Sequence, residues 1–113
     1  MNITLGEIEI PVEVCATPEK IKKGLQGRDS LDGGMLFFLD GNHHSFWMKD
    51  CNFPIDILFI LDNKVNEIYP NCQPCSEEPC ERFEGRCDYV LELNSGFCEK
   101  NNIKKGEPFV IPL

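Results

Sequence analysis

At 113 residues and 42% hydrophobic composition, the chain is long enough for one domain to bury roughly two-thirds of its unfolded surface, so disorder is excluded as its default state. Nineteen acidic against eleven basic residues leave a formal charge of −8, a surface that repels phosphate backbones and disfavours nucleic acid as a partner. Seven cysteines are many for this length, and the odd count leaves at least one unpaired within a monomer.

Residues 2–15 alternate: Ile8, Ile10, Val12 and Val14 share one face, with Glu7, Glu9 and Glu13 opposite, which predicts a half-buried strand after a shorter one that turns at Gly6. Pro11 lacks an amide donor and suits an edge or a bulge. Thr17-Pro18-Glu19 opens a helix of about two turns: the Thr hydroxyl caps, Pro is tolerated in the first turn, and Glu suits the positive end of the dipole. Gly24 or Gly27 ends it. Strands are expected at 35–39, 45–49, 55–61 and 65–69, with Asp62-Asn63 as a hairpin turn between the last two. Residues 70–87 are rich in Pro, Cys and acidic side chains without periodicity and are expected to be a loop, one that needs a staple or a function at that length. Tyr89–Leu93 and Phe109–Ile111 complete the strands, and Ser95 is placed to cap a short helical turn. Seven or eight short strands with one or two short helices predict a single, mainly β domain over residues 1–113, a compact sandwich or barrel.

No run is apolar and long enough to span a bilayer, because 55–61 contains Asp56 and is too short. No charged-then-apolar leader opens the sequence. A soluble protein without membrane insertion is expected, cytoplasmic by default and extracytoplasmic if the loop cysteines are oxidised.

The block Phe46-Trp47-Met48-Lys49-Asp50-Cys51-Asn52-Phe53-Pro54-Ile55-Asp56 places charge in apolar surroundings, where an ion must find a partner or shift its pKa. On its strand Asp56 shares a face with Leu58 and Ile60, and both faces are apolar. It is read either as a structural carboxylate bonded to backbone or to Arg28, or as a pocket residue with Lys49 and Glu92. Glu92 alternates with Val90 and Asn94, opposite Tyr89, Leu91 and Leu93, so it faces solvent or joins that pocket. The Lys49 stem covers the Trp47 indole in either reading. Arg28, after a glycine-flanked turn, binds an anion or ties loops together. Phe37, Phe38, Phe46, Trp47, Phe53 and Phe59 are expected in the core, and His43-His44 at a solvated loop tip.

Cys72, Cys75, Cys80 and Cys87 supply four thiols within one loop. Two disulfides pinning the loop, free or mixed thiols, or a zinc ion are the alternatives; the spacing of the second pair is wider than a four-thiolate zinc site normally uses. A redox role is weak, since Cys-x-x-Cys here does not open a helix in a βαβ unit. No cofactor is implied.

Gly24-Leu25-Gln26-Gly27-Arg28, Gly34-Met35-Leu36-Phe37, Phe46-Trp47-Met48-Lys49, Pro54-Ile55-Asp56-Ile57, Tyr89-Val90-Leu91-Glu92-Leu93 with Gly96, and Lys105-Gly106 follow one another in an order that resembles the domain-of-unknown-function family 192, small bacterial, archaeal and phage proteins. The resemblance spans nearly the whole chain and implies a compact, jelly-roll-like β fold with a short helix and no established activity. It also carries departures. Gln26 stands where the family usually has Met, and Asp50-Cys51 where it has Asn-Thr. Many relatives carry an export signal or membrane anchor, and none is expected from these residues. The Pro74-Cys75 and Pro79-Cys80 loop occurs in many relatives, whereas Cys72, Cys87 and Cys98 look like additions.

Three functional classes follow from the residues. The first is a binding or accessory module with a polar pocket of Arg28, Lys49, Asp56, Glu92 and Trp47. The second is a hydrolase- or transferase-type enzyme using Asp56 or Glu92 as general acid or base with Lys49. The third is a cysteine-stapled interaction domain, its partner a small molecule or a protein in every case left unspecified.

Overall fold

The alternating N-terminal segment folds as expected. In the computed structural model, which describes residues 1–112, β1 (Asn2–Leu5) and β2 (Ile8–Cys15) form an antiparallel hairpin turning at Gly6. Helix α1 (Pro18–Lys23) starts where predicted, its Lys20 amide donating to the Thr17 hydroxyl at 3.3 Å, and ends at Gly24, whose φ of 48° favours glycine. The connection through α1 lets β3 (Gly34–Phe38) run parallel to β2, a pairing that a tight hairpin cannot make. After β4 (His43–Phe46), β5 (Ile55–Leu61) and β6 (Lys64–Cys72) form a hairpin around Asp62 and Asn63, both at positive φ as a type I′ turn demands. Then come β7 (Phe83–Arg86), β8 (Tyr89–Asn94), α2 (Phe97–Lys100) and β9 (Phe109–Val110).

Seven strands make one sheet in the order β6-β5-β8-β3-β2-β1-β9, and its ends meet. The Val65 amide donates to the Glu107 carbonyl at 2.9 Å and the Phe109 amide to the Asn63 carbonyl at 2.8 Å, so the sheet is nearly closed into a barrel. Strands β4 and β7 form a separate two-stranded ribbon.

The sheet is buried on both faces. One face encloses an apolar cluster that includes Ile3, Leu5, Leu36, Leu58, Leu91, Leu93 and Phe109. The other carries Met35, Phe37, Ile57, Phe59 and Val90 beneath the ribbon, α1 and the 47–53 segment. Aromatic contacts tie the ribbon down: Phe46 stands edge-on to Phe37 at 5.1 Å, and Tyr69 packs on Phe83 at 5.3 Å. The Tyr69 hydroxyl also donates to the Glu84 carbonyl at 2.6 Å.

Three local expectations are corrected. The expected loop 70–87 contains strand β7 and the end of β6; β7 forms because it has β4 to pair with and Phe59 to lie on, where the Gly85 backbone sits so close that a Cβ would come within 3.2 Å of the ring. His43 and His44 belong to β4 rather than to a loop tip, because β7 supplies their hydrogen-bonding partner strand. Ser95 does not cap α2: its hydroxyl donates to the Asn71 side-chain oxygen at 2.7 Å, and Gly96 stands at the helix start with no side-chain cap.

Candidate functional site

The sheet register separates the charged residues chosen from sequence. In the β5–β8 pairing Ile57 lies opposite Glu92 and Asp56 opposite Leu93. Side chains alternate along a strand, so Glu92 points with Ile57 to the ribbon-covered face and Asp56 points to the other. Their carboxyl groups are therefore not built as a pair.

Asp56, 1% exposed, is satisfied by backbone. Its Oδ1 accepts from the Asn71 amide at 2.9 Å and from the Gly96 amide at 3.4 Å, and its Oδ2 accepts from the Cys98 amide at 3.0 Å. The carboxylate thus holds the positive-φ turn at Asn71 and the first turn of α2 together, supplying the cap that Ser95 does not. Arg28 is equally occupied: its guanidinium donates to Glu13, with Nη1 to Oε1 at 3.0 Å, a bidentate contact between half-exposed groups that holds the Glu13 carboxyl below its usual range. Neither Arg28 nor Asp56 lines the cavity described next.

A cavity of about 220 Å³ lies between the barrel, the C-terminal end of α1 and the ribbon. Phe37, Phe46 and Trp47 supply apolar wall, and Gly24 lies against the Phe37 ring at its edge. Glu92, 4% exposed, is the most buried polar side chain lining it. No group among the described residues hydrogen-bonds or ion-pairs with its carboxyl, and burial alone pushes its pKa up to about 8. Lys22 and Lys23 at the end of α1, Lys49 and Arg82 ring the opening. The Lys49 ammonium donates to the Ser76 carbonyl at 3.0 Å and sits 3.6 Å from Asp50. The Arg82 guanidinium lies over the Trp47 ring at 4.1 Å from its centroid, so arginine rather than Lys49 covers the indole. His44 Nε2 lies 2.6 Å from Asp40 Oδ1 and its ring reaches the cavity.

Of the five residues singled out, the structure brings Lys49, Glu92 and Trp47 to one cavity and leaves Arg28 and Asp56 outside it. Sequence reasoning missed Arg82 and His44. Arg82 lay in the segment read as loop, and the signal that β7 follows it was hidden among prolines and cysteines.

The four loop cysteines do not converge. Cys75 and Cys80 form a disulfide, whereas Cys72 and Cys87 are free and buried. Among the described residues no three His, Cys, Asp or Glu side chains are grouped to hold a metal ion. The Cys72 thiol, donating to the Tyr69 carbonyl at 3.2 Å, is pushed up to about 12 by burial first and by Asp56 and Glu92 next. Cys87 is raised to about 12 and cavity-lining Cys51 to about 11, again chiefly by burial. Such thiols are poor nucleophiles at neutral pH. Of the three alternatives for the loop, the structure has the mixed one, a single bridge with the other thiols free, and not two disulfides or a converging zinc site.

A nearly closed β-barrel covered on its outer face, with a small cavity under the cover, defines a mainly β protein. The chain belongs to family DUF192, described as "Uncharacterized ACR", whose model matches residues 1–111. It is similar to a provisionally named transcription regulator from Sinorhizobium meliloti 1021, with 28% identity and a TM-score of 0.88 over 96% of this chain and 90% of that one. It is similar also to a protein of unknown function from Novosphingobium aromaticivorans DSM 12444, with 28% identity and a TM-score of 0.88 over 97% of this chain and 84% of that one. No curated protein sequence matches it. Among the described residues no helix is long and apolar enough to cross a membrane.

Proposed function

We propose that this chain is a small-molecule-binding module whose ligand occupies the cavity between α1, the ribbon and the barrel. Glu92, Lys49 and Trp47 are its binding residues, joined by Arg82, while Arg28 and Asp56 hold the fold. One observation carries this reading: Glu92 is buried without any partner while lining a cavity. Its carboxyl is not an orphan sealed from solvent, since no side-chain N or O atom among the described residues is both fully buried and without a partner; its oxygens face the cavity, where a ligand can meet them. The enzymatic alternative is narrowed to Glu92 with Lys49, because Asp56 lies on the other face and is consumed by three amides. Regulation of transcription by direct DNA contact, the reading that the Sinorhizobium relative's name suggests, runs against the −8 charge. The Cys75–Cys80 bridge supports an oxidising compartment.

A thermal-shift screen of small polar compounds against the wild-type protein and Trp47→Ala tests the reading. Compounds are expected to raise the melting temperature of the wild type and to lose that effect in the variant. A broad panel that leaves the wild type unmoved would sink it.

A further inference from the structure

The polarity of the cavity narrows its ligand, given the reading that it binds one. Cations and carboxyl are segregated. Lys22, Lys23 and Arg82 ring the opening, and none of them pairs with a carboxylate among the described residues. These unpaired cations stand together on a chain whose total charge is −8. Arg82 lies over the Trp47 ring at 4.1 Å and no hydrogen bond or ion pair among the described residues takes its N–H groups, so they are free for a planar, bidentate acceptor such as a carboxylate. The buried end is different. Glu92 has apolar neighbours, Met35 and Ile57 being its partners across the sheet, and no counter-cation.

We propose that the cavity takes a small hydroxylated carboxylic acid, a sugar acid or a hydroxy acid of similar size, with its carboxylate on Arg82 and the α1 lysines and its hydroxyl groups on the Glu92 carboxyl. A neutral carboxyl both donates and accepts, which matches a hydroxyl without requiring a charge in an apolar pocket. An amine at the same position would force Glu92 to ionise away from water and would first have to pass the cations at the opening. Size agrees: at about 220 Å³ the cavity falls below the range of roughly 300–1,000 Å³ that houses drug-sized ligands. Gln26 and Ser45 add polar wall for further hydroxyls, and Phe46 offers an apolar face to a ring.

Glucuronate, glucose and glucosamine share one pyranose ring and differ in carrying an anion, no charge or a cation, which makes them matched probes. Calorimetric titration of the full chain at pH 7 is expected to rank glucuronate first, with glucose at least about tenfold weaker for want of the guanidinium contact and glucosamine weakest. Arg82→Ala should weaken glucuronate by about tenfold or more, and Glu92→Leu likewise, with Glu92→Gln recovering part of the loss because its amide still donates and accepts. Far-ultraviolet circular dichroism confirms that each variant is folded. Glucosamine binding ahead of glucuronate, or an Arg82→Ala variant that binds glucuronate as the wild type does, overturns the inference while the pocket reading stands. If none of the sugar acids and hydroxy acids tried binds but other compounds raise the wild-type melting temperature, the ligand class is wrong. If no compound does, both readings fall together.

Discussion

Glu92 and Asp56 occupy adjacent central strands and both leave water, yet the structure treats them oppositely. Asp56 is repaid by three backbone amides, so Asp56→Ala should strand them and cost about 3 kcal/mol in urea denaturation at pH 7. A loss below about 1 kcal/mol would contradict the capping role. Glu92 receives no such repayment. Its pKa is raised from 4.5 to about 8 by burial, so between those values the native protein keeps a proton that the unfolded chain has released. Stability from this group is therefore full below about pH 4.5, declines as pH rises through about 8, and is level beyond. The ceiling on that decline is about 5 kcal/mol, one pKa unit corresponding to about 1.4 kcal/mol. Glu92→Gln does not titrate, so its melting temperature relative to wild type should rise between pH 5 and pH 8.5. A constant difference across that window would show that Glu92 ionises normally.

At the level of elements, the β4–β7 ribbon decides whether a site exists at all, because it covers the face on which Glu92 stands. The ribbon is short and lies on the barrel through Phe46, Tyr69 and Phe83. Gly85 lets β7 come down onto Phe59, and Gly85→Val should lift it, at a cost of about 1–3 kcal/mol from overpacking. Hydrogen exchange is the measurement that localises the effect: amides of His43–Phe46 and Phe83–Arg86 should exchange faster while those of the β1–β2 hairpin do not. Uniform acceleration over both would mean that the ribbon and the barrel open as one unit. The helix α1 contributes less to stability, having no fully buried residue, and more to the site, since its last turn brings Lys22 and Lys23 to the opening.

Over the whole molecule, cysteine chemistry is partitioned by burial. One bridge, Cys75–Cys80, staples the exposed loop, and Cys15, Cys51, Cys72, Cys87 and Cys98 remain as thiols in or near the core. Titration with a thiol reagent should find little reactivity in the native protein, five thiols after unfolding without reductant, and all seven after reduction. Three thiols after unfolding would establish a second bridge instead. The charge is likewise unevenly spread, with an acidic total and a cationic rim around one opening, which favours encounter with small anions there and repels polyanions elsewhere.

Much of the architecture was legible in residue order because its signals are local. The period of two in residues 8–15, the Thr17-Pro18 helix start and the Asp62-Asn63 turn each act over a few neighbours, and each lies where it was expected. Even the division of β8 into faces, Glu92 with Val90 against Leu91 with Leu93, is written in alternation. What alternation cannot say is which face a distant segment will cover. Solvent or burial for Glu92, backbone amides for Asp56, Glu13 rather than a ligand for Arg28, and Arg82 rather than lysine on Trp47 were all decided by contacts between segments far apart in the chain. Sequence by itself determined most of the strands and the family resemblance, because those signals are local; only the closure of the barrel and the ribbon laid over it decided which charges lost their water and which partners they met.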